Sequence, residues 1–371
     1  MLCCRSMLEI PVELGARRYV VSVGHGLAQQ LPDLLAPFAG RRTVVVASRH
    51  VWKSHQKTLA RSLRGLGQLH TCLVPDGERF KNRSTLEAVY DAFLKAQLGR
   101  DGLVVAVGGG VVGDLAGFAA ASWMRGVDWV VVPTTLLAMV DSSIGGKVAI
   151  NHARAKNMIG AFHQPRAVVI DPAFLATLPL REFRSGSYEI LKCAVLGDDA
   201  LFARLLRAPK GLSGWPRPEV DNAIATACRI KAEVVERDER DSSLRYVLNL
   251  GHTIGHALET VTGYRRFTHG EAVGWGLIGA SSIARQRGLL PESSYAAIAS
   301  AVDHVGPRPR ISDLKPGRII EAISHDKKAH AGRVPFVLPT AIGRVIVQDD
   351  VTRAEITRAL RVMASREALA S

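Results

Sequence analysis

The sequence predicts an α/β domain over residues 1–178, followed by a mainly α-helical domain over residues 179–371. In the first half, short apolar runs that fit buried strands alternate with stretches of helical periodicity, which is the pattern of a doubly wound parallel sheet. After residue 170 such runs become rare and helical periodicity dominates. With 371 residues, the chain is long enough to give each of two domains a core of its own.

The elements of the first domain follow from apolar runs that end in turn residues and from amphipathic stretches between those runs. Strand, helix, strand and helix succeed one another in the order that a doubly wound sheet requires. Strands are predicted at residues 19–23, 43–47, 69–74, 103–107, 129–132 and 168–170, and helices at residues 51–66 and 84–96, with a further helix that begins near Val112.

The second domain is predicted from five stretches of helical periodicity, several of them separated by loops rich in glycine and proline. Because few strands remain in this half, we expect its core to form by packing of helix on helix. The predicted helices span residues 187–195, 220–237, 248–262, 271–287 and 352–369.

A glycine-rich stretch follows the fourth predicted strand. Gly108, Gly110 and Gly113 form a G-x-G-x-x-G pattern, in which glycine permits a tight turn and lets the backbone approach a diphosphate. The motif alone is weak, because glycine turns are common after buried strands. It gains weight because the next strand ends at Thr134 and Thr135, so two strands would deliver polar groups to one edge of the sheet. The sequence therefore predicts a site for a phosphate-bearing ligand at this edge.

Two histidines of the second domain, His252 and His256, lie four residues apart and so share one face of a predicted helix. Such a pair is a frequent half-site for zinc. His269, beyond a turn, and Glu189 are candidates for a third ligand. The alternative is that the two helical histidines pack and hydrogen-bond without a metal. From spacing alone, we expect His252 and His256 to be the two ligands on the helix.

The charge balance indicates an anionic partner, because 48 Lys and Arg residues against 34 Asp and Glu residues give a net charge of +14. Small phosphorylated acids are favoured over nucleic acid, since aromatic residues make up only 6% of the chain. No apolar run approaches the roughly 20 residues of a membrane span, so no membrane partner is expected. Five scattered cysteines fit a reducing compartment, and we expect a cytoplasmic protein.

Long motifs run in order through most of the chain, from about Pro75 to Gly343: GGGVVGDLAGFAA, VPTTLLAMVDSSIGGK, KNMIGAFHQP, TLPLREFRSG, LNLGHTIGHALE, HGEAV and DKK. In these motifs the sequence resembles the 3-dehydroquinate synthases, within the sugar-phosphate cyclase superfamily. The resemblance implies a dehydroquinate synthase-like fold, with an α/β NAD-binding domain and an α-helical domain for metal and substrate. It implies a phosphate lyase that converts 3-deoxy-D-arabino-heptulosonate 7-phosphate to 3-dehydroquinate, a shikimate pathway step of aromatic amino acid biosynthesis.

The implied reaction passes through transient oxidation by NAD, phosphate elimination, re-reduction, ring opening and aldol cyclisation. The resemblance also implies the residues of the site and a homodimer. NAD would contact Asp76, Glu78, Lys81, Gly109, Gly110, Val111, Asp114, Thr134, Thr135, Lys147, Lys156, Phe174 and Thr177. A zinc or cobalt ion would be held by Glu189, His252 and His269, which makes His256 a catalytic residue instead of a ligand. The substrate would be surrounded by Arg125, Asp141, Lys147, Asn157, Lys192, Lys231, Arg245, Asn249, His256 and one lysine of the pair Lys327 and Lys328.

Other functions remain open on the sequence. A sister cyclase that makes 2-epi-5-epi-valiolone or 2-deoxy-scyllo-inosose is disfavoured, because Lys147, Asn157, Arg245 and Asn249 match the dehydroquinate synthase pattern. A metal-dependent alcohol or glycerol dehydrogenase would share the two-domain plan but would accumulate NADH. A protein that only binds anions or nucleic acid would not need three metal ligands. Tyr188 departs from the family, in which a small residue more often precedes the ligand, so altered packing is expected there.

Overall fold

The chain forms two compact units in the computed structural model, which describes residues 7–153, 155–208, 211–242, 244–324 and 334–367. The first unit contains the chain up to Leu178 together with Lys231–Arg240, and the second contains Pro179–Ile230 together with the chain from Asp241 onward. The predicted boundaries leave residues 231–240 in the second domain. No composition change marks this segment, because most of it continues a helix that begins at Arg217.

A seven-stranded sheet forms the core of the first unit. The strands of this unit are β1 (Leu8–Val12), β2 (Tyr19–Val23), β3 (Thr43–Ser48), β4 (Leu69–Val74), β5 (Leu103–Gly108), β6 (Asp128–Pro133), β7 (Lys147–His152), β8 (Ala155–Phe162) and β9 (Ala167–Ile170). The sheet has the order β1-β2-β9-β6-β5-β3-β4. β1 pairs antiparallel with β2 and the other neighbours pair in parallel, which confirms the predicted parallel sheet. Every residue of β3 and β5 is buried, as expected for central strands that are covered on both faces.

The helices of the first unit begin where side chains cap them. The hydroxyl of Ser48 accepts a hydrogen bond from the backbone N–H of Val51, and the amide oxygen of Asn82 accepts one from Thr85. These caps explain why two helices begin slightly earlier than predicted. The helices are α1 (Leu31–Leu34), α2 (Arg49–Leu63), α3 (Arg83–Lys95) and α4 (Gly110–Ser122).

An antiparallel hairpin of β7 and β8 lies outside the main sheet, and the sequence-based prediction missed it. The hairpin begins after Gly145 and Gly146, both with positive φ, and its strands mix polar and apolar residues. Val148 and Ile150 are nevertheless buried at alternate positions of β7, which is the period of a half-buried strand. That alternation is the signal that could have identified the strand.

The second unit is mainly helical, as predicted, with one small antiparallel pair of strands at its end. The pair, β10 (Phe336–Ala341) and β11 (Arg344–Gln348), lies in a stretch for which no strand was predicted. Within the described residues, no helix combines the length and the apolar character that crossing a membrane requires. The elements are α5 (Leu180–Gly197), α6 (Asp199–Leu206), α7 (Arg217–Arg237, whose last turns belong to the first unit), α8 (His252–Val261), α9 (His269–Gln286), α10 (Glu292–Val305), α11 (Pro316–Ser324), β10 (Phe336–Ala341), β11 (Arg344–Gln348) and α12 (Arg353–Glu367).

Helix α9 packs against its neighbours through glycines that leave no room for a side chain. A Cβ atom on Gly276 would lie 1.8 Å from the carbonyl oxygen of Gly251, the residue before α8. A Cβ atom on Gly270 would lie 1.9 Å from the carbonyl oxygen of Ser185 in α5. Both separations are far below van der Waals contact, so glycine at these positions sets the spacing of three helices.

Tyr188, which departs from the family pattern, is accommodated by the same helix. Its ring lies over Gly274, where a Cβ atom would approach two ring carbons to 2.8 Å. Its hydroxyl donates a hydrogen bond of 2.8 Å to the carbonyl oxygen of Gly306. The large side chain is therefore buried with its polar atom satisfied, and the backbone of α5 continues unbroken to Glu189.

Replacing Gly276 by alanine should destabilise the protein, because the new methyl group would overlap the carbonyl of Gly251. We expect the free energy of unfolding to fall by about 1–3 kcal/mol, the usual cost of overpacking a core. Denaturant unfolding measures the change. Gly317→Ala in α11 is the matched control, because no atom lies within 4 Å of its Cβ position. Equal stability of the two variants would contradict the packing argument.

Candidate functional site

Three side chains that could hold a metal ion converge in the second unit. Glu189 lies in the middle of α5, and His252 and His269 are the first residues of α8 and α9. The Nε2 atoms of His252 and His269 lie 3.8 and 3.7 Å from Oε1 of Glu189. Ligand atoms about 2.1 Å from one tetrahedral ion are about 3.4 Å apart, so a shift of a few tenths of an ångström would complete a site.

The hydrogen bonds of the two histidines direct their Nε2 lone pairs toward Glu189. Nδ1 of His252 lies 3.2 Å from the carbonyl oxygen of Leu250, and Nδ1 of His269 lies 3.3 Å from a carboxylate oxygen of Glu259. Because a carbonyl oxygen and a carboxylate oxygen are acceptors, each Nδ1 donates its N–H. In the neutral ring, Nε2 then carries a lone pair, the form in which imidazole binds a metal.

Glu189 itself has the properties of a ligand without its ion. The residue is 1% exposed, and its Oε1 atom accepts no hydrogen bond from any residue that the structure describes. Nζ of Lys192 lies 2.5 Å from the other oxygen and balances the carboxylate charge. Two lone pairs and an anionic oxygen that meet at one point repel each other unless a cation lies between them. The donor set of one carboxylate and two imidazoles suits Zn²⁺ or Co²⁺.

Local structure explains why these side chains meet. The hydroxyl of Thr268 and the carboxylate of Glu271 form a capping box that begins α9 at His269. Arg181 binds both oxygens of Glu271 and so ties the cap to α5. The N–H of Gly270 donates a hydrogen bond to Ser185, one turn before Glu189 on α5. The start of α9 is thus fixed against the helix that carries the carboxylate.

His256 lies beside the metal-binding group but outside it. Its ring centroid is 5.3 Å from that of His252, and both residues line a cavity with Tyr246 and Asn249. The spacing argument made His252 and His256 the ligand pair, whereas the group that converges with Glu189 contains His269. A second group, formed by His256, Glu259 and His269, lies on the Nδ1 side of the His269 ring. Spacing along one helix favoured His256 and left His269 only as a candidate third ligand, because a turn separates His269 from α8.

Two further predicted substrate residues of this unit belong to a short 3₁₀ segment, Leu244–Asn249, that precedes α8. Arg245 is buried there, and the amide of Asn249 donates a hydrogen bond to the carbonyl oxygen of Tyr246. The prediction placed the beginning of this helix at residue 248. The helix instead begins after Gly251, whose φ of 79° is left-handed.

In the first unit, the predicted cofactor residues follow the carboxyl ends of neighbouring parallel strands. They come after β4, β5, β6 and β9, at the edge where open α/β sheets bind ligands. Gly109 and Gly110 have ordinary negative φ, so the expected tight turn is not what requires glycine. Space requires it, since a Cβ on Gly110 would lie 2.9 Å from the hydroxyl of Ser142, and one on Gly109 would lie 3.1 Å from Thr135.

A buried polar cluster joins residues that the sequence assigned to cofactor and to substrate. The Lys81 ammonium, 4% exposed, binds the carboxylate of Asp114 and lies 2.5 Å from the amide oxygen of Asn157. Burial raises the pKa of Asp114, and the charge of Lys81 opposes that rise. Asn151, which sequence reasoning missed, donates to Glu78 and accepts from the N–H of Asn157. The signal that could have identified Asn151 was its position near the end of β7, a strand in which buried residues alternate with more exposed ones.

Other predicted residues of the first unit also have partners. The ammonium of Lys231 binds the carboxylate of Asp141 and lies 2.6 Å from its carbonyl oxygen. Asp76 accepts hydrogen bonds from the hydroxyl of Ser48 and the N–H of His50. Thr177 is hydrogen-bonded to His55, whose ring meets Phe174 edge-on at 4.9 Å between centroids.

Thr134, directly after β6, is 4% exposed, and its hydroxyl has no hydrogen-bond partner among the described residues. Beside it, α4 begins at Gly110 without a side-chain cap, so its first N–H groups can receive a phosphate. A buried hydroxyl without a partner and an uncapped helix N-terminus both fit a phosphate-bearing cofactor at this edge.

One predicted residue of the first unit, Arg125, is not brought to this edge. Arg125 lies three residues before β6, which starts beside Leu103 at the amino end of β5, so it is at the opposite edge of the sheet. Its φ of 68° is left-handed, an uncommon conformation for arginine. Lys147 and Lys156 belong to the β7–β8 hairpin. Lys327 and Lys328 lie outside the described residues.

Sequence comparisons relate the chain to one family over nearly its whole length. Residues 71–185 match the family described as 3-dehydroquinate synthase N-terminal, and residues 186–329 match 3-dehydroquinate synthase C-terminal. The 3-dehydroquinate synthase of Nostoc punctiforme is 43% identical over 360 residues, which cover 95% of this chain and 99% of that protein. That of Pelotomaculum thermopropionicum is 43% identical over 350 residues, 94% of each chain.

Solved structures agree with this relationship. The 2-epi-5-epi-valiolone synthase of Streptomyces hygroscopicus, solved with NAD⁺ and Zn²⁺, is 30% identical with a TM-score of 0.87, over 95% of this chain and 98% of that one. A 2-deoxy-scyllo-inosose synthase, solved with carbaglucose-6-phosphate, NAD⁺ and Co²⁺, has a TM-score of 0.85 at 24% identity, over 96% and 100% of the chains. The second likeness shows the fold alone. The dehydroquinate synthase-like fold is thereby confirmed.

Removing Glu189 or His252 should abolish metal binding, because either change leaves only two of the converging ligand atoms. We expect Glu189→Ala and His252→Ala to contain no bound zinc by elemental analysis after dialysis. His256→Ala is the control and should retain one ion per chain. Loss of zinc in His256→Ala, with retention in a variant of His269, would instead support the helical pair that spacing suggested.

Proposed function

The chain belongs to the 3-dehydroquinate synthase family, and we propose that it converts 3-deoxy-D-arabino-heptulosonate 7-phosphate to 3-dehydroquinate and phosphate. The observation that carries the proposal is the convergence of Glu189, His252 and His269 in a chain that matches this family over residues 71–329. A dehydrogenase on the same scaffold could hold a metal in a similar way, and the phosphate-release experiment below separates the two functions.

NAD is the cofactor that the first unit would hold. Support comes from the glycine stretch, the N-terminus of α4 and the unpaired hydroxyl of Thr134. The 2-epi-5-epi-valiolone synthase in the comparison was solved with NAD⁺. When bound, NAD supplies a hydride acceptor that is regenerated within the same turnover. Gly109 and Gly110 would keep the backbone close to the diphosphate, and Lys81 would set the position of Asp114 beside it.

A divalent metal would be held by Glu189, His252 and His269. When bound, such an ion acts as a Lewis acid that makes a coordinated hydroxyl more acidic. The chain contributes the orientation of both imidazoles, through Leu250 and Glu259. Lys192 would compensate the charge of Glu189 and offer a proton donor at the same point.

The remaining assigned residues would bind the anionic groups of the substrate and hold its hydroxyls. Arginine suits the planar anions best, because its guanidinium binds two oxygens at once. Lys231 and Asp141 are paired in the structure, and we propose that substrate hydroxyls compete for this pair. The substrate-binding residues proposed here are Asp141, Lys147, Asn157, Lys192, Lys231, Arg245, Asn249, His256 and one of Lys327 and Lys328. Arg125 is left out of this set, because it lies at the opposite edge of the sheet.

Sister cyclases are the second candidate, since both structural relatives reported above are of that class. The sequence relatives favour dehydroquinate synthase, because they match at 41–43% identity, against 30% for the valiolone synthase. We propose in addition that the protein is cytoplasmic and a homodimer, without a nucleic acid partner. The domain roles, NAD in residues 1–178 and metal in 179–371, remain part of this proposal.

Thr134→Val should weaken NAD binding without loss of the fold, because it removes a buried hydroxyl that has no partner among the described residues. We expect the dissociation constant to rise about 3- to 10-fold, the worth of one hydrogen bond. Quenching of protein fluorescence on addition of NAD measures it. Thr43→Val, at the far end of β3, is the control for a buried threonine. Unchanged affinity in Thr134→Val would remove Thr134 from the cofactor site.

Purified protein should release phosphate from 3-deoxy-D-arabino-heptulosonate 7-phosphate only when both NAD and metal are present. Absorbance should show no net NADH, because the hydride returns to the substrate. Phosphate release and NADH absorbance are measured with and without NAD, and before and after a chelator. Lys147→Ala should lose turnover while it retains the metal.

Each other result points to a different function. Phosphate release from sedoheptulose 7-phosphate or glucose 6-phosphate, but not from the heptulosonate, would assign a sister cyclase. Steady accumulation of NADH would assign a dehydrogenase on the same scaffold.

A further inference from the structure

We propose that Glu259 is a positioning residue that fixes the His269 ring so that it binds the metal through Nε2. The inference deepens the proposed function and rests on the metal site described there. Glu259 lies on α8, two turns after His252, so one helix would supply both a ligand and the residue that orients another ligand. Sequence reasoning did not select it, because a glutamate near a helix end usually faces solvent.

Burial is the first observation. Glu259 is 6% exposed, and one of its oxygens lies 3.3 Å from Nδ1 of His269. An ionised carboxylate is costly to bury unless charged or hydrogen-bonded partners compensate it. The ring of His269 is one of the partners that compensate the burial of this carboxylate.

The second observation is the direction of the ring. A neutral imidazole carries its proton on either nitrogen, and both nitrogens of His269 face carboxylates, Nδ1 toward Glu259 and Nε2 toward Glu189. The ring can donate to only one of them. The shorter distance is to Glu259, 3.3 Å against 3.7 Å, which assigns the N–H to Nδ1 and the lone pair to Nε2.

The third observation is the difference between the two histidines. His252 is backed by a neutral backbone carbonyl, whereas His269 is backed by a carboxylate. A carboxylate acceptor makes the opposite nitrogen more basic than a carbonyl does, so His269 would be the stronger donor of the two. Outer partners of this kind commonly contribute 10- to 100-fold to metal affinity.

Glu259 could alternatively be a ligand itself, because His256, Glu259 and His269 form a second group of possible ligands. The two groups share the ring of His269, and ions on both of its nitrogens would require it to lose both protons. The group with Glu189 has two Nε2 lone pairs that already meet an oxygen without a hydrogen bond from the described residues, so we place the ion there. Metal stoichiometry separates the two possibilities.

The test is titration of the metal-free full-length chain with Co²⁺ alone, without NAD or substrate. Visible absorption gives the stoichiometry and coordination, and competition with a chelator gives the dissociation constant. We expect the unmodified chain to bind one ion, and Glu259→Gln to bind one ion about 10- to 100-fold more weakly with a similar spectrum. Glu219→Gln is the matched control, since it removes a half-exposed carboxylate of the same unit, and its affinity should not change.

Three results separate a failure of this inference from a failure of the proposed function. Equal affinity in Glu259→Gln would overturn the positioning role. Two ions in the unmodified chain and one in Glu259→Gln would make Glu259 a ligand and also overturn it. Absence of any binding in the unmodified chain would count against the proposed metal-dependent function itself.

A second measurement does not depend on the folding of a variant. Nitrogen NMR of the metal-free, unmodified chain with ¹⁵N-labelled histidine reports which ring nitrogen carries the proton, with His269 assigned from its loss in His269→Gln. We expect the proton on Nδ1. A proton on Nε2 would contradict the inference, whatever the stability of Glu259→Gln.

Discussion

The close approach of α9 to its neighbours is the constraint on which the metal-binding group depends. Gly270 touches the backbone of α5 and Gly276 touches the backbone before α8, at distances that exclude any Cβ atom. These contacts hold the first residue of α9 between the middle of α5 and the start of α8. The side chains of Glu189, His252 and His269 reach one point because the three backbones lie so near one another. The packing of these helices therefore also sets the geometry of the metal-binding group.

The first unit uses glycine for the same physical reason. Gly109 and Gly110 adopt conformations open to other residues, yet the side chains of Thr135 and Ser142 lie so near that a Cβ atom would crowd them. The polar groups around them are paired with each other, as in the contacts of Lys81 with Asp114 and Asn157. Such pairs compensate the buried charges and hold these side chains in fixed orientations for the proposed cofactor and substrate.

Buried charge is arranged in local pairs in both units. Lys192 lies against Glu189, Lys231 against Asp141, and Lys81 against Asp114. Removing one member of such a pair would leave the other charge buried without compensation, which destabilises the protein. A net charge of +14 predicts an anionic partner but does not select one. Which anion binds depends on where Lys192, Lys231 and Lys81 are buried and on which groups they contact.

The sequence by itself determined the order of strands and helices in the first half, because buried strands appear as short apolar runs bounded by turn residues and amphipathic helices have a period of about 3.6 residues. Its motifs also determined the family. It did not determine the β7–β8 hairpin, the second segment of the first unit at residues 231–240, or Asn151 and Glu259. Spacing alone favoured His256 over His269 as the partner of His252, whereas the family motifs implied His269, since spacing along one helix is visible in sequence and proximity across a turn is not. Only the tertiary structure brought His269 to Glu189, because backbone contact between helices decides which distant side chains share one point in space.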